Sequence, residues 1–358
     1  MSATSRAGIG GSGARGLVAR AFRSAPAAGF AGVLERIAAP PQESFAVLTY
    51  HRVDEPSARP WLNPSLVSAT PTAFEEQMTA LIRRHNAIGL PELLTAHRTA
   101  RRPLPPRAVL VTFDDGYRDF LEHAWPVLGR LGIPATMFIP TSYPDSGQAF
   151  WWDRLWRAVA TAPEGTVDTP AGSLELTDEA SRRTATRTLV DHHKRMGHAA
   201  AMRSVDELVA RLGVKGRRRG GRRPDDPDLL SWDEIKRLAA TGLHVAPHSR
   251  AHPLLTRLEP DALDAELVGS RQDLHAHLGE LACGTAFAYP AGAHDAAARD
   301  ALVRTGYELG FTTERGINQV GASDPLRLRR INVGMRAGSE LLRAQLAIFT
   351  LRYRARGI

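Results

Sequence analysis

The feature that most constrains this chain is a series of short apolar runs, largely unbroken by charge, alternating with longer amphipathic stretches. The runs cover residues 45–50, 108–113, 135–139, 243–246, 285–289 and 308–312. Apolar runs unbroken by charge are expected of strands covered on both faces, which is the condition of a parallel sheet. Between them, residues 71–85, 120–131, 232–240, 260–278 and 296–305 carry helical patterning. Ser231 followed by Asp233 and Glu234 has the form of a helix N-cap with acids in the first turn. Strand and helix in alternation predict βα units closing into a barrel or lying in an open parallel sheet, an α/β fold.

The alternation stops at residues 142–230. There, residues 150–156 (Phe-Trp-Trp-Asp-Arg-Leu-Trp) open one amphipathic helix, and 177–212 read as further helix. This predicts a helical insertion between two strands of a single main domain spanning 45–335, with a C-terminal helix over 336–358. Trp151, Trp152 and Trp156 are expected to anchor the insertion to the barrel. His192, His193 and His198 fall on an arginine-rich stretch and are expected at the surface.

Composition matters chiefly for what the chain binds. The formal net charge is +8, but residues 215–223 alone carry six positive charges and no acid, leaving +2 elsewhere. The basicity therefore belongs to one glycine-flanked loop, expected to be solvated or to touch an anionic glycan or membrane surface. No nucleic-acid motif accompanies it, so nucleic acid is not an expected partner. Residues 1–44 begin with an arginine-containing, acid-poor stretch and are expected to form a flexible basic arm. No uncharged apolar run approaches the roughly 18 residues of a membrane-spanning helix. Cys283 is the only cysteine, which excludes an internal disulfide and a multi-cysteine zinc site. A cytoplasmic or inner-membrane-peripheral location is expected, with export left open.

Two motifs can carry chemistry. Residues 111–116 (Val-Thr-Phe-Asp-Asp-Gly) end an apolar strand in two adjacent carboxylates, Asp114 and Asp115. Functional groups in α/β folds collect at such C-terminal strand ends, and alternation along a strand would point the two carboxylates to different tasks. Residues 248–252 (His-Ser-Arg-Ala-His) follow another strand, and their spacing would set two imidazoles on one side of a helical turn. A serine after His248 excludes the metalloprotease HExxH signature. Each motif is weak alone. Together they supply one aspartate and two histidines as metal ligands with open positions, and a second aspartate free to act as a base.

The chain resembles the polysaccharide deacetylase family, the NodB-homology or carbohydrate esterase family 4 proteins. The resemblance rests on Leu-Thr-Tyr-His-Arg-Val at 48–53, Thr-Phe-Asp-Asp-Gly at 112–116 and Ile-Pro-Ala-Thr-Met-Phe-Ile at 133–139. It continues with Leu-Ser-Trp-Asp at 230–233, His-Ser-Arg-Ala-His-Pro at 248–253 and Phe-Ala-Tyr-Pro-Ala-Gly at 287–292. It implies a distorted (β/α)7-type barrel and a hydrolase removing N-acetyl groups from a glycan or its precursor. It further implies a divalent metal, usually zinc, on Asp115, His248 and His252, with Asp114 as general base. Ala291 stands where the family has a tyrosine whose backbone N–H stabilises the oxyanion. Ala288 stands where many members carry an arginine supporting the base, and Arg330 is the proposed replacement. No histidine follows His294, so the family's late Leu-x-His acid is absent, and His51 takes that role by resemblance to members opening on Tyr-His-x-Val. The altered third motif leaves two alternatives: hydrolysis of another C–N amide, or a catalytically weak glycan-binding protein.

Overall fold

The computed structural model describes residues 26–38, 40–59, 61–99, 103–213 and 228–355. Seven principal strands carry the barrel: β1 Ser44–Tyr50, β2 Asn86–Ile88, β3 Ala108–Asp114, β4 Ala135–Ile139, β5 His244–Pro247, β6 Ala286–Ala288 and β7 Leu309–Phe311. They are parallel wherever they pair. β1 runs beside β3 from Phe45↔Ala108 to Tyr50↔Phe113, β3 beside β4, and β4 beside β5. β2 joins the start of β3, and β6 pairs with β7 as a separate ladder. The barrel is open between β5 and β6, where an isolated parallel bridge of Val245 and Ala282, with Cys283 N donating to Val245 O at 2.8 Å, links the chain to β5.

Every residue of β1, β3 and β4 is buried, which explains why these runs lack charge. The helices that cover them start where the sequence supplies caps. Thr70 caps α2 (Pro71–Ile82, following α1 at Pro26–Ile37), accepting from Ala73 N at 3.2 Å ahead of Pro71. After α3 (Leu90–Arg98) comes α4 (Trp125–Leu131), which ends on left-handed Gly132. The patterning predicts one helix over 120–131, but Phe120–Ala124 is a π turn in which Trp125 N–H bonds Phe120 O. Pro126 has no N–H to continue the α ladder, so the turn before it widens.

The insertion holds α5 Trp151–Thr161, α6 Glu179–His193 and α7 His198–Leu212. It is not purely helical: Thr166–Thr169 and Gly172–Glu175 form an exposed antiparallel hairpin closed by Pro170 and Ala171. The expected continuous helix over 177–212 breaks at Gly197, which caps α7. Its apolar residues pack on their own side of the barrel around Phe150, Trp151, Trp152 and Leu155, with Tyr117 contributed from the turn after β3. His193 corrects the expectation of a surface histidine. It is buried, with Nδ1 2.7 Å from Leu189 O and Nε2 3.1 Å from Ser204 Oγ, and His192 and His198 are half-buried.

α8 (Trp232–Ala240) has the predicted bounds and a reciprocal cap, Glu234 N to Ser231 Oγ and Ser231 N to Glu234 Oε2. α9 (Pro260–Leu278) and α10 (Ala296–Arg304) complete the barrel wall, and α11 (Ser339–Ala355) ends it. The N-terminal arm lies outside the described residues as far as 25, whereas α1 packs on α11 and Glu35 accepts two hydrogen bonds from Arg343, at 2.6 and 2.8 Å. The basic loop 215–223 also lies outside the described residues. Among the described residues no helix is long and apolar enough to cross a membrane.

His85, just past α2, adds a pH dependence to this packing. Burial, helped by the nearby Arg107 cation and opposed by Glu35, pushes its imidazole down to about 4. A histidine kept neutral in the fold stabilises fully above its unfolded value near 6.5, and that contribution fades as pH falls toward 4. His85→Gln is expected to flatten the stability loss between pH 6.5 and 4 by up to roughly 3 kcal/mol. Urea denaturation at several pH values checks this, and parallel wild-type and variant curves would refute it.

Candidate active site

The C-terminal ends of β1, β3 and β5 and the turn after β6 open into one cavity of about 740 Å³, lined by His51, Asp114, Asp115, His248, His252, Ala291 and Arg330. The structure thus brings all seven residues singled out by the sequence to one place. β3 ends with Asp114, and the chain then turns through left-handed Asp115 (φ 77°) and Gly116 (φ 74°). Aspartate tolerates that conformation better than most side chains. The divergence of the two carboxylates therefore comes from the strand ending, more than from alternation along it.

Asp115 Oδ1 lies 3.8 Å from His248 Nε2 and 3.6 Å from His252 Nε2. The edges of a tetrahedron with bonds of about 2.1 Å are about 3.4 Å, close to both of these distances, and all three ligand atoms lie within 4.8 Å of one another. Asp115 Oδ1 is buried without a hydrogen-bond partner, a costly state for a carboxylate oxygen unless a cation satisfies it. Burial, reinforced by the Asp114 and Asp153 carboxylates, pushes Asp115 well above the usual carboxylate range, again as expected of an oxygen waiting for a cation. The donor set of two imidazoles and one carboxylate fits a divalent metal with open positions.

His248 is aimed by its other nitrogen. Nδ1–H donates to Ala288 O at 2.7 Å, which leaves Nε2 as the lone-pair nitrogen and ties β5 to β6 across the barrel's open seam. His252 is delivered by the loop and not by the expected helical turn. Ser249 (φ 64°) and His252 (φ 56°) are both left-handed, and His252 N donates to Ser249 Oγ at 3.0 Å. Pro253 follows, and it disfavours helical backbone at the residue before it. The two rings meet edge to face, with centroids 4.8 Å apart.

Asp114 is clamped by Arg330, whose Nη1 and Nη2 donate to Oδ1 and Oδ2, each at 2.8 Å. Both side chains are almost fully buried, and Arg330 Nε donates to Thr312 O at 2.7 Å. Burial alone would raise the Asp114 carboxyl. Arg330, with His248 and His51, outweighs it and holds the group at about 2, so Asp114 stays ionised. His51 follows β1, its backbone N–H donating to Ser68 Oγ at 3.0 Å. Burial lowers its imidazole, Asp114 opposes that, and the Arg330 and Lys194 cations add to the lowering. Ala291 sits in left-handed backbone (φ 53°) in the Pro290–Gly292 turn. Gly292 is required there, since a Cβ would lie 2.1 Å from Thr313 Oγ1.

Several supporting residues escaped the sequence reading. Trp152, at the start of α5, packs edge-on against His252 with centroids 4.7 Å apart. Its Nε1–H donates to Tyr117 OH at 2.9 Å, and Tyr117 OH donates to buried Asp153 at 2.9 Å. Arg52, beside His51, lies over the Tyr117 ring, donates to Asp119 at 2.7 Å and pairs with Asp228. Ring packing on His252 and a buried polar network thus tie the insertion to the segment that follows β1. The sequence signal was the Trp-Trp-Asp run, whose Trp152 and Asp153 were read only as anchorage or left aside.

Fold and site together give a distorted parallel barrel with two carboxylates and three imidazoles gathered at the C-terminal ends of its strands. The family model for polysaccharide deacetylases matches residues 101–310, and the chain belongs to that family. Among curated proteins it is similar to the poly-β-1,6-N-acetyl-D-glucosamine N-deacetylase of Escherichia coli K12, with 24% identity over 293 residues. That match takes in 80% of this chain and 36% of the relative, so the chain spans about a third of its length. Among solved structures it resembles the Streptococcus pyogenes deacetylase PplD in complex with acetate, at TM-score 0.56 and 19% identity, covering 86% of this chain and 99% of that one. It also resembles IcaB from Ammonifex degensii, at TM-score 0.53 and 20% identity, covering 86% and 97%. At these identities the structural likeness shows the fold, a distorted barrel.

Proposed function

We propose that the chain is a metal-dependent hydrolase that removes N-acetyl groups from a glycan or glycan precursor. The observation that carries this is the buried Asp115, His248 and His252 set, opening on a cavity beside an aspartate held ionised by Arg330. Family membership and the similarity to a poly-N-acetylglucosamine deacetylase support the same substrate class.

Asp115, His248 and His252 would hold the ion, with zinc the best match to the donors. When bound, it would polarise the acetyl carbonyl and acidify a water molecule. Asp114 accepts the proton of the attacking water. Arg330 uses one lone pair on each carboxylate oxygen, which leaves others for that proton. The Ala291 N–H donates to the developing oxyanion, a backbone contribution that needs no particular side chain. His51 is the imidazole placed to give a proton to the departing amine nitrogen; burial lowers it on balance, and Asp114 beside it opposes that lowering.

Elemental analysis after equilibration with zinc is expected to give one ion per chain in the wild type. His248→Ala and Asp115→Asn should each lower that content at least tenfold, in line with the loss of a ligand. Full zinc content in both variants would overturn the assignment of the site.

A further inference from the structure

The lining of the cavity that holds Asp115, His248 and His252 is otherwise strongly basic. Arg187 and Lys194 reach it from the insertion, and Arg257, Arg315 and Arg336 reach it from three separate loops of the barrel. All five are exposed, and among the described residues none has a carboxylate partner. Arginines elsewhere on the barrel do: Arg98 holds Glu308, Arg250 holds Asp273 and Arg299 holds Asp324. Besides Asp114 and Asp115, the only acid among the lining residues is Asp191. Asp114 is already neutralised by Arg330, and a divalent ion would more than neutralise Asp115. Among the described residues the cavity therefore concentrates more positive charge than Asp191 alone can balance. A like-charged cluster drawn from four segments costs repulsion that an anionic ligand would relieve.

We infer that this basic lining is an anion subsite, and that the substrate is an N-acetylated sugar bearing a carboxylate or phosphate close to the acetamido group. The inference rests on the deacetylase reading and narrows its substrate class. Uronic acid neighbours in a polymer and a diphosphate ester of a single sugar present the same chemistry, anionic oxygens for guanidinium and ammonium groups. The subsite would act on binding and encounter, leaving the hydrolytic step to Asp114 and the metal ligands.

The test compares three probes on the zinc-loaded enzyme: an oligosaccharide alternating N-acetylglucosamine with glucuronate, a short-chain prenyl diphosphate ester of N-acetylglucosamine, and neutral chitotetraose. At low salt, kcat/KM for one of the anionic probes should exceed that for chitotetraose at least tenfold, and whichever it is identifies the source of the charge. The preference should shrink as ionic strength rises past about 0.15 M, where screening sets in within about 8 Å. In R187Q/R257Q/R336Q, the anionic-to-neutral ratio should fall by roughly tenfold, as three partly exposed ion pairs would give. Equal rates on all probes, or a variant that slows all three alike, would overturn the inference.

Calorimetric binding to Asp114→Asn protein separates this from the deacetylase reading. Salt-sensitive binding of an anionic probe that the triple variant loses supports the subsite even where no acetate is released. Absent or salt-insensitive binding overturns it, whatever the activity.

Discussion

Asp114→Asn is expected to lower acetate release by about 10³-fold, within the range of general base catalysis, while zinc content stays at one per chain. The amide keeps the shape of the carboxylate and can still accept one hydrogen bond from Arg330, but it has no charge with which to take a proton. The proposed ligands, Asp115, His248 and His252, are untouched by the change. The effect should therefore fall on kcat, with KM moving far less, because the lost interaction belongs to the reacting state. Steady-state kinetics with metal analysis on the same preparation checks this. A variant with near-normal kcat would remove Asp114 from the mechanism, and one that had lost its zinc would make the residue a ligand.

The second large effect is expected from Arg330→Met. The pair it breaks is almost fully buried, with two hydrogen bonds of 2.8 Å, so the substitution strands a carboxylate in the barrel interior. Breaking a buried pair in this way costs about 3–5 kcal/mol. The sign of its pH dependence follows from Asp114. In the wild type its carboxyl is held below its unfolded value, so the stabilisation it gives is present above pH 4 and fades as pH falls toward 2. Without Arg330, burial governs and raises the group, so the variant's deficit should be full at neutral pH and shrink in acid. Asp114→Asn in the Arg330→Met background should recover part of the loss, since it removes the stranded charge. Chemical denaturation of the four proteins gives the coupling, and strictly additive effects would contradict the buried-pair account.

The contrast between Arg330 and the set of Asp115, His248 and His252 shows what a sequence can and cannot carry. β1, β3, β4, α8 and α9 were legible because burial on both faces, or a cap followed by a periodic pattern, is written into consecutive residues. Asp115, His248 and His252 were legible because metal chemistry needs those residue types at the ends of strands. β2, three residues long, and the hairpin of the insertion are too short or too exposed to show a period. The helical turn expected at 248–252 failed because Ser249 and His252 take left-handed backbone that spacing alone does not report. Arg330 stands 216 residues from Asp114, so only the closing of the barrel brings it there. Trp152 was read as an anchor of the insertion. It is one, and the same ring also braces His252.

The insertion is accordingly part of the site as well as a covering. It supplies the ring that packs on His252 and two of the five basic side chains of the lining that have no carboxylate partner among the described residues. Substrate choice would lie in this segment, while the strand ends beneath it hold the reacting groups.

The most direct test of the central claim is acetate release from a β-1,6-linked N-acetylglucosamine oligomer and from the anionic probes, followed by proton NMR with and without a chelator. The account predicts that the zinc-loaded enzyme releases acetate from at least one of them with one new amine per acetate. It also predicts that chelation abolishes the release and added zinc restores it. Release that continues undiminished in the metal-stripped protein, or no acetate from any of these substrates at full zinc occupancy, would contradict it.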